Sequence, residues 1–150
     1  MKDIKLMQEY RHKGEGFSPL YISGEWQVAQ INYIQNQEIG NIKSLDIHFK
    51  TDELFVLLKG SAILIAAERK DNNFVSYEMT FMKEGIVYNI PKMVWHNIAL
   101  HEDAEVLIFE DKNSHLGEYE IVNLSMDEHI KLTQKLKKTL SDNTQVGITK

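Results

Sequence analysis

Residue types that bind metal ions occur in two short stretches of the sequence. The first stretch, DIHFKTDELFVLLKG, contains Asp46, His48 and Glu53. Asp46 and His48 are two residues apart on a predicted strand, so both side chains leave the same face of that strand. Glu53 begins the next predicted strand after a short turn and can return beside them. The second stretch, GIVYNIPKMVWHNIAL, places His96 at the start of a distant strand, after a turn at Pro91. We therefore expect these donors to converge on one spot.

Imidazole and carboxylate groups are the ligands that remain for a divalent cation when thiolate is absent. The sequence contains no cysteine, which excludes disulfides, thiolate metal sites and cysteine nucleophiles. The serines lack a Gly-x-Ser-x-Gly context and there is no glycine-rich phosphate loop, which disfavours hydrolase triads and nucleotide chemistry. The histidine and carboxylate residues of the two stretches therefore predict a mononuclear metal site.

Each of these residues also has a simpler interpretation. His48 alone would be a strand-end histidine that is hydrogen-bonded to a backbone carbonyl. Asp46 is explained equally well as a ligand or as a hydrogen-bond acceptor that orients His48. Glu53 can form an ordinary ion pair with Lys50 or Lys92. However, Glu53 precedes the apolar run LFVLL, where a carboxylate that faces the interior requires a metal, an arginine or a proton.

The middle of the chain is predicted to be all-β. Short runs rich in Val, Ile, Leu, Phe and Tyr alternate there with polar breaks. Strands are predicted near 26–34, 42–48, 53–59, 61–68, 74–81, 87–90, 96–100 and 104–110. Spacing of this kind predicts a sandwich or barrel. A chain of 150 residues with 43% apolar content is sufficient for one domain, 1–150, with the barrel at 26–110.

The two ends of the chain differ from this middle. Residues 1–24 are mostly polar, and we expect an N-terminal arm that wraps the barrel or pairs with a neighbouring chain. Residues 125–140 predict a helix packed on the outside of the barrel. Ser125 and Glu128 form a capping-box signature at its start. The apolar stripe of this helix consists of Ile130, Leu132, Leu136 and Leu140.

The two donor stretches resemble the paired motifs of the cupin superfamily, which are small double-stranded β-helix or jelly-roll barrels. The first family motif is a glycine, a His-x-His pair, a glutamate and a later glycine. The second is a glycine, a proline, a further glycine, a histidine and an asparagine. The residues that match are His48, Glu53, Gly60, Gly85, Pro91 and His96. The resemblance covers about residues 42–110, and matching both motifs at this separation is more specific than matching either alone.

Three positions depart from the family pattern. Asp46 stands in the place of the first histidine, and Met93 and Leu100 replace the later glycine and the asparagine of the second motif. Asp46 can still ligate a metal, which gives a set of two histidines and two carboxylates. Such a set favours hard or borderline metals such as Mn, Fe, Zn or Ni over copper. The departures equally fit a weakened site or none, since cupins without a metal exist.

The resemblance implies an all-β, cupin-type double-stranded β-helix with one C-terminal α-helix. It implies that a divalent metal ion is held inside the barrel by His48, Glu53 and His96, together with Asp46. The implied activity is that of a small metal-dependent enzyme, of isomerase, lyase or dioxygenase type, acting on a sugar or small organic acid. Glu53 would be the catalytic residue that moves a proton. The alternative is a non-catalytic module that binds or senses a small molecule or a carbohydrate.

Four further residues are candidates for the wall of a ligand cavity. Phe55 shares the face of Glu53 by the period of two in a strand and would line the cavity. Tyr88 and Phe109 are aromatic residues on neighbouring predicted strands. His115 follows the last of these strands and can fold over the barrel mouth.

Charge and patterning restrict the partners of the protein. A formal net charge of -5 without a basic patch argues against nucleic acid and anionic membranes as main partners. No run approaches the roughly 20 apolar residues of a membrane span, and the N-terminal stretch lacks the apolar core of a signal peptide. We expect a cytoplasmic protein with a small-molecule ligand. Exposed strand edges predict a homodimer.

Overall fold

Antiparallel strands form the body of the protein, and one helix follows them. The computed structural model describes residues 5–114, 116 and 119–144. The strands in this part are β1 (Gly16–Ser23), β2 (Trp26–Asn32), β3 (Ser44–His48), β4 (Glu53–Lys70), β5 (Asn73–Phe81), β6 (Val87–Ile90), β7 (Trp95–Asp111) and β8 (Tyr119–Asn123). A 3₁₀ turn at Gln35–Gln37 follows β2, and helix α1 is Met126–Thr144. The prediction of an all-β body with a C-terminal helix is confirmed.

Strand β7 is the centre of the topology, because it pairs with β2, β3 and β4. Strand β1 extends this arrangement beyond β2, and β8 extends it beyond β3. Strand β4 also pairs with β5 and β6. All of these pairs are antiparallel. We predicted separate strands at 53–59 and 61–68, but both are parts of the single strand β4, and 96–100 and 104–110 are likewise parts of β7.

Two irregularities bend β4 and β7 together without ending either strand. The register of the pair shifts between Leu57 and Lys59 and again between Lys59 and Ser61. Gly60 lies in this bend with φ of +77°, and Glu102 and Asp103 opposite it also have positive φ. A bulge of this kind inserts residues and increases the local twist while the ladder continues on both sides. The breaks at Gly60 and at Glu102 and Asp103 therefore mark bends rather than strand ends.

Both faces of β4 are buried over residues 62–65. Ala62 and Leu64 belong to an inner apolar cluster, while Ile63 and Ile65 belong to an outer one, as the alternation of a strand requires. The inner cluster contains Ala29, Ile31, Phe55, Leu57, Ala62, Leu64, Met82, Ile90, Ile98, Leu100, Ala104, Val106 and Ile108. The outer cluster contains Ile42, Leu45, Ile63, Ile65, Ala67, Phe74, Ala99, Leu132 and Leu136. The outer cluster is covered by α1.

Helix α1 covers the outer cluster with Leu132 and Leu136, which are fully buried, and Leu140 packs against them. These residues are four apart and share one face of the helix. Ile130, which we placed in the same stripe, is 47% exposed, because it lies two residues from Leu132 and turns away. His129 takes the inward position instead, and its Nδ1 lies 2.7 Å from the carbonyl oxygen of Ile42. No helix in the described residues combines the length and apolarity needed to cross a membrane.

The ends of the sheet differ from the sequence-based expectation. Part of the predicted N-terminal arm forms β1, which pairs with β2 along its length. Its register shifts between Pro19 and Tyr21, and an edge strand tolerates proline at such an irregularity. Strand β8, which we did not predict, pairs with β3. Edge strands carry a weak periodic signal, so these two were missed.

Substituting Gly60 tests the bend in β4. A Cβ at this position would lie 2.5 Å from the carbonyl oxygen of Glu102 and 2.6 Å from the backbone of Ala104. Gly85 has a similar φ of +75°, but a Cβ there meets nothing within 4 Å. We expect Gly60→Ala to lower the free energy of unfolding by about 1–3 kcal/mol more than Gly85→Ala, because backbone atoms must move. Equal losses in urea unfolding of the two variants would contradict this.

The start of α1 is held by the capping box that the sequence predicts. Glu128 accepts hydrogen bonds from the backbone N–H groups of Ser125 and Phe74, both at 2.8 Å. In return, the backbone N–H of Glu128 donates to Ser125 Oγ at 3.2 Å. Since Phe74 belongs to β5, the same carboxylate joins the helix to the sheet.

Replacing Glu128 tests this junction. Burial by itself raises the pKa of Glu128, but the N–H groups of Phe74 and Ser125 outweigh it and hold that pKa below its usual range. A lowered pKa adds stability above the ordinary carboxyl pKa, and this stability is lost as the pH falls through the folded-state value. We expect Glu128→Ala to lower the free energy of unfolding by about 1–2 kcal/mol at neutral pH. This difference from the native protein should shrink below about pH 4.

Urea unfolding over a series of pH values measures this difference. Asp127→Ala is the matched control, because Asp127 lies in the same first turn but leaves both bonds of Glu128 in place. A cost for Glu128→Ala that stays constant down to acidic pH would show that its carboxylate does not hold the junction.

Candidate metal centre

The fold brings together the four donors predicted from the sequence. Asp46 and His48 lie at the end of β3, Glu53 is the first residue of β4, and His96 is the second residue of β7. Asp46 and His96 are direct partners across the β3–β7 pair. His96 Nε2 lies 2.8 Å from Glu53 Oε2, and His48 Nε2 lies 3.2 Å from the same oxygen. The distance from His48 Nε2 to Asp46 Oδ2 is 3.7 Å.

The three central donors are removed from solvent. Glu53, His48 and His96 are 7%, 9% and 3% exposed. Burial alone would raise the pKa of Glu53, but hydrogen bonds from the two imidazoles lower it to about 2. Burial would lower the pKa of His96, yet its bond to Glu53 raises it to about 9, and the pKa of His48 is raised in the same way. Burial raises the pKa of Asp46. The site is therefore a cluster of charges that compensate one another inside the barrel.

A third carboxylate, Glu110, belongs to the same cluster. It lies near the end of β7, is 9% exposed, and accepts a hydrogen bond of 2.7 Å from Nε2 of the fully buried Gln27. Burial raises the pKa of Glu110, and the negative charge of Glu53 adds to the effect. The sequence analysis missed this residue. Its signal is the run of buried residues at every second position of β7, which are Ala104, Val106, Ile108 and Glu110.

The donors fit a divalent cation. Ligand atoms of Asp46, His48 and His96 lie within 4.8 Å of one another, and so do those of His48, Glu53 and Glu110. The Nδ1 atom of His48 is buried and has no hydrogen-bond partner among the described residues. Imidazole and carboxylate groups without thiolate suit Mn, Fe, Zn or Ni. The described residues could therefore hold a metal ion.

A cavity of about 280 Å³ opens beside these donors. Phe55 lies in its wall, as does Ile108 from the inner cluster. Phe17 of β1 and Tyr119 of β8 also line it, and the sequence analysis did not find them because it did not predict those two strands. The polar residues Gln37, Asn97 and Ser114 complete the described part of the wall together with Ile31 and Ile98.

Two predicted wall residues lie elsewhere. Phe109 points away from the cavity, because its neighbours in β7 point inward, and it lines a surface groove with Trp26. Tyr88 packs against the inner cluster, but its hydroxyl accepts a hydrogen bond from the backbone N–H of Lys83 at 2.9 Å and does not reach the donors. His115 lies outside the described residues.

Comparisons with known proteins bear on the fold. No protein-family model matches the sequence, and no curated protein matches it. The solved structure of BH2720 from Bacillus halodurans is 18% identical and has a TM-score of 0.50, covering 66% of this chain and 72% of that chain.

A cupin-2 domain containing protein from Shewanella frigidimarina is 22% identical with a TM-score of 0.48, covering 66% of this chain and 84% of that one. A cupin superfamily protein from Desulfitobacterium hafniense is 16% identical with a TM-score of 0.47, covering 69% of this chain and 83% of that one. The likeness is one of fold. The chain has the cupin fold, as its motifs predict.

Substitutions at Glu110 test whether it is held by Gln27. In Glu110→Leu, Nε2 of the buried Gln27 loses its acceptor, and we expect the free energy of unfolding to fall by about 1–3 kcal/mol. In Glu110→Gln the amide oxygen can still accept that bond and the repulsion from Glu53 disappears. We therefore expect the Gln variant to stay within about 1 kcal/mol of the native protein. Chemical denaturation measures both, and equal losses in the two variants would contradict the assignment.

Proposed function

We propose that the protein binds one divalent metal ion inside the barrel and uses it to act on a small oxygen-bearing molecule. The observation that supports this most directly is the meeting of His48 and His96 at a single buried oxygen of Glu53. Three strands contribute to this point. Residues 48, 53 and 96 would ligate the ion, and Asp46 or Glu110 would complete the set.

The metal, when bound, would polarise an oxygen atom of the substrate and stabilise negative charge that develops on it. The chain supplies the remaining functions. Phe55 and the inner apolar cluster exclude water from the cavity and strengthen the electrostatic interactions within it. Glu53, to which the sequence analysis assigned proton transfer, and Glu110 both line the cavity. In this proposal either carboxylate would accept a proton from a bound molecule, and Glu110 would do so more readily because burial raises its pKa.

A second candidate function is binding without turnover. The observation in its favour is the position of Asp46, which replaces the first histidine of the family motif. Its side chain is 33% exposed, and its Oδ2 lies 3.7 Å from His48 Nε2, too far for a hydrogen bond. A looser donor set would hold a metal or a small molecule without organising a reaction. Bound metal without turnover of any tested substrate would favour this alternative.

Metal analysis of the purified protein tests the proposal. We expect about one transition-metal ion per chain in the native protein. The double variant His48→Ala, His96→Ala removes both imidazoles, so its metal affinity should fall by more than about 100-fold and it should carry almost no metal. The matched control is His12→Ala, His101→Ala, because both of these histidines lie outside the cavity wall. The same negligible metal content in the native protein and in the site variant would refute the metal centre.

A further inference from the structure

The ionisable side chains in the described part of the cavity wall are all acidic or histidine. They are Asp46, His48, Glu53, His96 and Glu110. No lysine or arginine occurs among the described wall residues. An anion that enters such a site finds neither lysine nor arginine among these residues, and both imidazoles are already paired with Glu53, so nothing replaces its lost hydration.

A bound metal ion does not make the cavity favourable for an anion. The carboxyl groups of Asp46, Glu53 and Glu110 surround the place where a divalent cation would bind and offset its positive charge. A carboxylate or phosphate on the ligand would lie beside these three acidic groups. An ammonium group on the ligand would compete with the metal for the same carboxylates. The class of ligand compatible with an occupied centre is therefore uncharged.

The side chains of Asn97, Gln37 and Ser114 in the wall are already hydrogen-bonded within the protein. The amide nitrogen of Asn97 donates to the carbonyl oxygen of Ser44 at 2.8 Å. Its amide oxygen accepts from the backbone N–H of Ile98 at 2.7 Å and from Gln37 Nε2 at 3.1 Å. Ser114 Oγ donates to the carbonyl oxygen of Asp111 at 2.8 Å. A molecule with many hydroxyl groups would have to break these bonds or leave its own hydroxyls unsatisfied.

The rest of the described wall is aromatic or aliphatic. Phe55, Ile98 and Ile108 come from the inner cluster, and Phe17 and Tyr119 come from the two edge strands. The cavity of about 280 Å³ suits a compact ligand, close to the lower limit for small-molecule sites. Such a wall stabilises the apolar part of a ligand by removing its surface from water.

We infer that the cavity takes an uncharged, compact molecule with an apolar body and a single oxygen-bearing head that reaches the donors. The inference rests on the proposed metal centre and narrows its substrate class. It excludes phosphorylated sugars, small organic acids and free sugars, because the described wall residues include no lysine or arginine and the side chains of Asn97, Gln37 and Ser114 are already hydrogen-bonded within the protein.

Matched probes test the inference. The probes are 2-hydroxy-1-phenylethanone, which is uncharged, mandelate, which has the same ring with a carboxylate, and xylose, which is an uncharged polyol. Isothermal titration uses the full chain loaded with its metal at neutral pH. We expect the ketone to bind at least about tenfold more tightly than mandelate or xylose. Tighter binding of mandelate or xylose would overturn the inference, and so would no binding of the ketone at millimolar concentration.

A charge introduced at the cavity rim provides a second, independent test. Phe17 lines the cavity but is 42% exposed and is not one of the donors, so its replacement leaves the donor set intact. We expect Phe17→Lys to raise the affinity for mandelate several-fold, since it supplies the missing cation. The control Phe17→Met has a similar length without charge and should leave mandelate binding weak. An unchanged affinity for mandelate in Phe17→Lys would contradict the charge argument.

Metal content measured on the same samples separates the two proposals. Protein that carries no metal but prefers the ketone over mandelate and xylose would refute the metal centre and support the ligand class. Protein that carries its metal but prefers mandelate would support the metal centre and refute the ligand class.

Discussion

The buried carboxylate of Glu53 is the constraint on which the site depends. A carboxylate that is 7% exposed is stable only beside compensating charge, and both imidazoles supply it within 3.2 Å. His48 comes from the end of β3, Glu53 from the start of β4 and His96 from the start of β7. The arrangement of these three strand termini therefore determines both the stability of the interior and its capacity to hold a cation.

Strand β7 positions the two strands that carry the other donors. The pairing of Asp46 with His96 fixes β3 against it, and the long β4–β7 ladder continues through the bend at Gly60. Because successive side chains of a strand point to opposite faces, one face supplies the inner cluster and the cavity. The other face is covered by α1, through Leu132 and Leu136. The helix closes the outer cluster, and the inner face stays available for a ligand.

Local patterns were sufficient for much of the fold. The alternation of apolar runs and turns predicted the strands of the middle region, and Ser125 with Glu128 predicted the helix start, where the reciprocal hydrogen bonds are present. The same reasoning did not find strands β1 and β8, because they are edge strands and Pro19 interrupts one of them. Phe17 and Tyr119 line the cavity from these two strands, so the sequence analysis did not find these two wall residues either.

The sequence by itself determined the residue types of the donor cluster and, through its paired motifs, the cupin fold, because motif spacing and strand periodicity are local properties. The tertiary structure alone decided which other side chains face the donors. Glu110 points into the cavity beside Gln27, whereas Phe109 points out of it. Pairing of β7 with β2 and β4 sets this choice, and a shift of one residue in that register would exchange the two faces. The charge and polarity available to a ligand are therefore a consequence of long-range strand pairing.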